Sequence, residues 1–401
     1  MKNRKLCLPL WGVVLSVVVL SGLLLFGGCQ PAPKKAAGPV FFPEPPDKPR
    51  LQFLKSISSS ADVAVKTKSS FESFIAGEEE KKDSIAKPYG MALFQGKLYV
   101  CDVGKGMVEV FDLEKKTFGY LTQDRRLKNP VNIRIDAEGN KYVTDTIGKT
   151  LFVFDHNDIL TAMWGRETTI APVDIAIRGE RCYVTDFNSN QILVLNKKTG
   201  AILDRFGKKG EGVGEIDMIT NIALDRQDNM YITDMVKGQI LKFDASGRFV
   251  RSFGQAGVNL EEFARPKGID IDREGRIWVV DAASEVAKII DTEGQLLLFF
   301  GLPGNAPGKM NLPAQILVDY DHVKYFSQYA VPGAKIEFLV LVSNQYGLNK
   351  INVYGFGSFP DQLVVPAAKP ASPASGSSSV PTISPVSPTA PMPGSRDPNS
   401  K

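Results

Sequence analysis

The sequence predicts an all-β protein, a six-bladed β-propeller whose last blade is completed by a strand from the N-terminal side. Three observations carry this reading. First, a short strand motif recurs as Tyr99-Val100-Cys101-Asp102, Tyr142-Val143-Thr144-Asp145, Tyr183-Val184-Thr185-Asp186, Tyr231-Ile232-Thr233-Asp234 and Trp278-Val279-Val280-Asp281. Second, the units that contain it start at Pro88, Pro130, Pro172, Ile219, Pro266 and Pro313, spaced 42, 42, 47, 47 and 47 residues apart. Third, each unit holds several short alternating segments rich in β-branched and aromatic residues, separated by turns such as Ala137-Glu138-Gly139-Asn140. A fixed period of this length, filled with short antiparallel strands, is the signature of propeller blades.

Read from the N-terminus, the chain opens with Lys2, Arg4 and Lys5 and then an apolar run, Leu6 to Phe26. A basic patch before such a run is a signal-peptide arrangement, and an uncleaved membrane anchor is the alternative. The run ends in Leu25-Phe26-Gly27-Gly28-Cys29, which resembles a bacterial lipobox, with Phe26 where that pattern usually has leucine. The resemblance implies that residues 1–28 are a lipoprotein signal peptide and that Cys29 carries the lipid (palmitate among its acyl chains). The body is then expected in the cell envelope, membrane-attached, and Gln30 after the cysteine points to the outer membrane. Residues 29–49, rich in Pro, Ala and Lys, suit an extended tether, in which Phe41 and Phe42 either meet a partner or pin the tether to the domain.

Within 50–87, Arg50 to Ile57 alternates as a strand should, and Ser70 to Gly77 reads as a short serine-capped helix. The charged run Glu78 to Asp83 reads as a solvated face. The propeller itself spans 88–357. Each repeat has a first strand opened by its start residue, the Tyr-Val-Thr-Asp strand, a third strand such as Leu151 to Asp155, and a fourth. Four of the fourth strands end in an aromatic-glycine pair: Trp164-Gly165, Phe206-Gly207, Phe253-Gly254 and Phe300-Gly301. The sixth repeat is irregular. Its second strand aligns best on Leu341-Val342-Ser343-Asn344 and its third on Lys350 to Tyr354, which makes 320–336 an insertion with a short helix around Asp321 to Tyr329. No fourth strand follows, so Arg50 to Ile57 is expected to complete blade six as its outermost strand and close the ring. Residues 366–401, dominated by Pro, Ser, Ala and Thr, read as a disordered tail.

The start elements, the Tyr-Val-Thr-Asp strand, a third strand ending in Phe-Asp and the Phe-Gly close resemble NHL repeats. The linkers Phe206-Gly207-Lys208-Lys209-Gly210-Glu211-Gly212 and Phe300-Gly301-Leu302-Pro303-Gly304 agree. The likeness covers roughly 50–357. With its lipobox, the whole chain resembles six-bladed propeller lipoproteins of bacteria rich in multihaem cytochromes. That implies service as a protein- or ligand-binding scaffold beside envelope electron-transfer machinery.

Chemistry has few places to sit. The repeated aspartates (Asp102, Asp145, Asp186, Asp234, Asp281, with Asn344 sixth) are read as structural, because an Asp at a strand end binds local backbone N–H groups. Two residues after each start stand Gly90, Asn132, Asp174, Asn221, Gly268 and Gln315, which open the innermost strands at one mouth of the channel. Of these, Asn132, Asp174, Asn221 and Gln315 are the channel-mouth candidates. Asn132, Asp174 and Asn221 could hold calcium through oxygen ligands, as in propeller hydrolases of the paraoxonase and gluconolactonase kind; hydrogen bonding to channel water is the other reading. The only histidines, His156 and His322, supply no cluster for metal binding or general-base work of the kind that NHL-type lyases use.

Tyr320, Tyr325, Phe326 and Tyr329 in the insertion are the partner-binding candidates, with packing against the propeller's own side as the alternative. Cys101 and Cys182 fall in non-adjacent repeats and are expected to be buried thiols, and no Cys-x-x-Cys-His haem site occurs. A net charge of +4 on 401 residues gives no footprint for nucleic acid. The leading expectation is a non-enzymatic, lipid-anchored binding propeller without a cofactor. The alternative is a calcium-dependent hydrolase or lactonase at the channel mouth.

Overall fold

The computed structural model of the protein describes residues 38–63, 83–123, 125–166 and 168–361. The signal peptide, Cys29, the helix at 70–77 and the tail from 366 lie outside the described residues. Among the described residues no helix is long and apolar enough to cross a membrane.

The repeats form six antiparallel sheets in a ring. Blade one runs through Pro88–Phe94, Lys97–Asp102, Met107–Asp112 and Thr117–Tyr120, and blades two to five repeat that order from Pro130, Pro172, Ile219 and Pro266. Every innermost strand begins at the residue the period marks. Each packs against the innermost strands of the blades on either side, which closes the ring. The core lies between blades: Trp278 of blade five meets Phe338 and Phe356 of blade six, and Phe300 of its own blade, in T-shaped contacts.

The motif's last two residues explain themselves in this frame. Thr144 Oγ1 donates to the Val173 carbonyl of the next blade (2.8 Å), and Thr185 Oγ1 donates to that of Thr220 (2.8 Å). In blade six, Ser343 takes the threonine's place and donates to the Tyr89 carbonyl of blade one (2.5 Å), so the same stitch joins last blade to first. Each aspartate clamps the linker before its own blade. Asp102 accepts from the N–H groups of Ala86, Lys87 and Gly104, and Asp234 from those of Asp217, Met218 and Lys237. These bonds satisfy donors that a turning chain would otherwise leave unpaired.

Blade six consists of Pro313–Asp319, Lys335–Asn344 and Ile351–Ser358, and Leu51–Ile57 pairs antiparallel to its third strand. The N-terminal strand therefore supplies the fourth position, as its alternation predicts. It is not outermost, however: Phe41–Phe42 pairs outside it. Both phenylalanines are buried, Phe41 edge-on to Phe359 and Phe42 against Phe300 and Tyr354. The expected tether is thus docked from Val40 to Phe42, because two large rings recover more by burial than an extended linker would retain in entropy. The insertion holds two single 3-10 turns, Val323–Tyr325 and Ser327–Tyr329, rather than one helix.

Antiparallel pairing places all inter-blade linkers and all turns between second and third strands on one face, the mouth face. The opposite face carries the remaining turns and the insertion.

Candidate binding site at the channel mouth

At the third position of the innermost strands, Asn132, Asp174, Asn221 and Gln315 are all fully buried. The two glycines of the set make room for their neighbours. A Cβ on Gly90 would fall onto the Asn132 side chain of blade two, and one on Gly268 onto the Gln315 backbone of blade six. Small residues on blades one and five are what let the amides of the next blades lean into the channel.

Those amides meet a carboxylate. Asp174 Oδ1 accepts the Ile175 N–H (2.8 Å), and Oδ2 accepts the Ile222 N–H (3.1 Å) and Asn221 Nδ2 (3.0 Å). The Gln315 carboxamide lies 3.1 Å from Asn221 Nδ2 and, turned the other way, presents its oxygen 3.0 Å from the Arg134 guanidinium. Arg134 also stands 3.7 Å from Asp174. Asn132 keeps to itself: its Oδ1 accepts the Ile133 N–H, and its Nδ2 has no protein partner. Asn221 Oδ1 is likewise unpartnered. These two atoms are the hydrogen-bonding capacity that the channel leaves for water or a small polar solute.

Sequence reasoning missed four residues here. Arg134 and Asp270 lie two positions further along their strands, where the other blades have Ala92, Ala176, Ala223 and Leu317. A charge in a column of small apolar residues was the available signal. Asp270 accepts the N–H groups of Val318 (2.8 Å) and Ile271 (2.9 Å). Burial pushes its carboxyl up to about 6, with Arg134 and those two donors pulling the other way. Lys267 and Tyr89 cross the mouth over blade six, with the ammonium 5.4 Å from the ring centroid. Burial brings Lys267 down to about 8.

The set suits a hard cation poorly. Both oxygens of Asp174 already accept hydrogen bonds, and a guanidinium stands beside it, whereas calcium takes six to eight oxygens. Among the described residues no group of three or more His, Cys, Asp or Glu side chains is placed to share a metal ion. His322 bonds Asp319 Oδ2 (2.8 Å) on the opposite face, and His156 lies exposed in a turn of blade two. What the described side chains of the channel offer is recognition by hydrogen bonds.

The insertion's aromatics divide. Phe326 is buried in a core cluster with Leu54 and Ile57, and Tyr325 packs against that cluster. Tyr320 packs at a tilt against Phe338 (ring centroids 4.8 Å apart), and its hydroxyl accepts the Arg273 N–H. Only Tyr329 is exposed, with Lys55 Nζ 3.0 Å from its hydroxyl, at the edge of a 260 Å³ cleft that Gln328 and Lys116 also line. Cys101 and Cys182 are buried free thiols.

A protein-family model described as a 6-bladed beta-propeller matches residues 169–245 and 219–364. Among solved structures, a Bacteroides thetaiotaomicron protein of unknown function aligns at 15% identity over 76% of this chain and 75% of its own, with a TM-score of 0.55. An auxiliary nutrient binding protein from the same organism aligns at 13% identity over 68% and 70%, TM-score 0.52. Virginiamycin B lyase from Staphylococcus aureus aligns at 16% identity over 69% and 87%, TM-score 0.46. No curated protein matches the chain. At these identities the two Bacteroides thetaiotaomicron likenesses show the fold alone.

Proposed function

We propose that this six-bladed propeller is a non-enzymatic binding scaffold of the cell envelope, held at the membrane by a lipid on Cys29. The observation that carries the scaffold reading is that the channel's polar side chains are committed mainly to one another. Asp174, Asn221, Gln315 and Arg134 form a linked set, and Lys267 and Tyr89 cross its mouth. A fold used this way offers its surface. The insertion supplies a rigid one, because Phe326 and Tyr325 pin it while Tyr329 and Gln328 face outward. The apolar run before Cys29 supports the anchor, and the layout of the chain supports a partner in envelope electron transfer.

Affinity capture from detergent-solubilised envelope tests the scaffold. A stoichiometric partner should be recovered with the wild type and lost with Tyr329→Ala plus Gln328→Ala. Recovery of none, or equal recovery with both, refutes the use of this surface. The anchor has its own test: Cys29→Ala should abolish incorporation of labelled fatty acid.

A further inference from the structure

The uneven period has a structural meaning. In the later junctions the linker folds back through parallel bridges, Lys209–Ile216, Ala256–Phe263 and Pro303–Met310, and lays a loop over the mouth face. The two 42-residue repeats have shorter linkers, Leu121 to Asn129 and Gly165 to Ala171. There the described residues leave the face open. A cleft of about 720 Å³ runs between the Val103–Met107 turn and the first short linker, and a second of about 460 Å³ extends it to Arg166. Both are lined by Arg125 and Lys128. Arg125, Lys128 and Arg166 are exposed, and none makes an ion pair with a described residue.

Two further features mark the same face. Most of the exposed large apolar side chains stand on its loop tips, among them Ile147 (71% exposed), Val213 (92%), Val258 (83%) and Leu348 (73%). Among the described residues, Ile159 and Tyr329 are the exposed ones on the opposite face, and the rest lie on outer strands. The edge strand Phe41–Phe42 also runs away from this face, toward the Leu51 end of the closing strand, so the chain approaches it from the mouth side. Val40 precedes the edge strand and lies against Gly308 of the last linker. The eight residues between Cys29 and Gly38 span at most about 30 Å when extended.

We propose that the mouth face lies on an anionic phospholipid surface, its apolar tips in the headgroup region and lipid phosphates in the cleft of blades one and two. The proposal rests on the N-terminal membrane attachment put forward above. One or two exposed apolar residues on each of several separate loops, with the exposed cations of the blade-one and blade-two cleft on the same face, match a lipid interface. They do not form the contiguous apolar centre that a protein partner would pack against.

The test uses the full chain in vesicles. Cys101 and Cys182 are fully buried, and on the processed, acylated chain Cys7 is gone and Cys29 is blocked, so there thiol dyes placed by Val213→Cys, Val258→Cys or Lys324→Cys report their own positions. In phosphatidylethanolamine–phosphatidylglycerol vesicles carrying nitroxide lipids, dyes at 213 and 258 should be quenched severalfold more than at 324 on the opposite face. Arg125→Glu with Lys128→Glu, or phosphatidylcholine vesicles, should remove most of that difference. Equal quenching at all three positions, or indifference to lipid charge and to the reversed cations, overturns the proposal. So does release by millimolar inorganic phosphate with vesicle charge irrelevant, which would make the cleft a soluble-anion site. The mass of the purified chain reports acylation of Cys29 separately. If Cys29 is acylated and the face is unquenched, the orientation is wrong and the anchor stands. If Cys29 is free, the labelled chain must still sediment with anionic vesicles through this face; failure there refutes both.

Discussion

Replacing Glu109 with glutamine should make the protein more stable above neutral pH and leave it nearly unchanged in mild acid. Glu109 sits in the third strand of blade one, opposite Val100 and Tyr120, where blades two to four place Phe152, Leu193 and Leu241. Its carboxylate is fully buried. Lys105 Nζ reaches Oε1 at 2.6 Å, and Oε2 has no partner. Burial outweighs that lysine's attraction, and nearby Asp102 adds to it, so the carboxyl is pushed up to about 7 from 4.5. The folded state then holds a proton that the unfolded chain releases. Stability is therefore fully present below pH 4.5, falls as pH rises through 7, and is lost by about 3 kcal/mol above that. Glutamine keeps the shape without the titration, and Lys105, one-quarter exposed, can turn to water. Urea unfolding followed by the fluorescence of Trp164 and Trp278 measures the difference between variant and wild type. It should be near zero at pH 4.5 and about 3 kcal/mol in favour of Glu109→Gln at pH 8. A difference that does not change with pH refutes the argument, because every other titrating group is common to both proteins.

Other expectations follow from the ring. Asp145→Ala removes the acceptor for the N–H groups of Lys128, Asn129 and Gly148, and should cost about 2–4 kcal/mol in thermal or urea unfolding. Leu51→Ala, in the closing strand and fully buried beside Tyr354 and Phe356, should cost about 2–5 kcal/mol; a smaller loss would mean that the strand is not needed to complete blade six. Gly268→Ala should destabilise by about 1–3 kcal/mol or more, since its Cβ meets backbone of blade six rather than a movable side-chain end. Added calcium at millimolar concentration should leave the melting temperature unchanged, whereas a rise of several degrees would return the channel to the metal reading.

How much was legible depended on how local each signal is. The strand motif and its start residues placed all six innermost strands, because a strand's alternation and its turns are written in adjacent residues. The insertion at 320–336 was legible from a repeat that runs out of register. That Phe41 and Phe42 pin the tether was legible as two large rings in a Pro-rich stretch, but their pairing was not, since two residues carry no periodicity and pair only because the edge of Leu51–Ile57 is already there. The insertion's aromatics show the same limit: Phe326 and Tyr329 look alike in sequence, and only packing sends one into the core and the other outward.

By itself, then, the sequence determined the number of blades, their order and the strand that closes the ring, all consequences of a repeat whose units each need the next to bury their faces. Tertiary structure alone decided what the channel holds. Asn221 meets Gln315 across 94 residues, and Asp174 meets the Ile222 N–H across 48, because ring closure brings blades together at a centre that no local pattern describes. It also turned a five-residue difference in period into an open cationic cleft, since a short linker exposes whatever its longer counterparts cover.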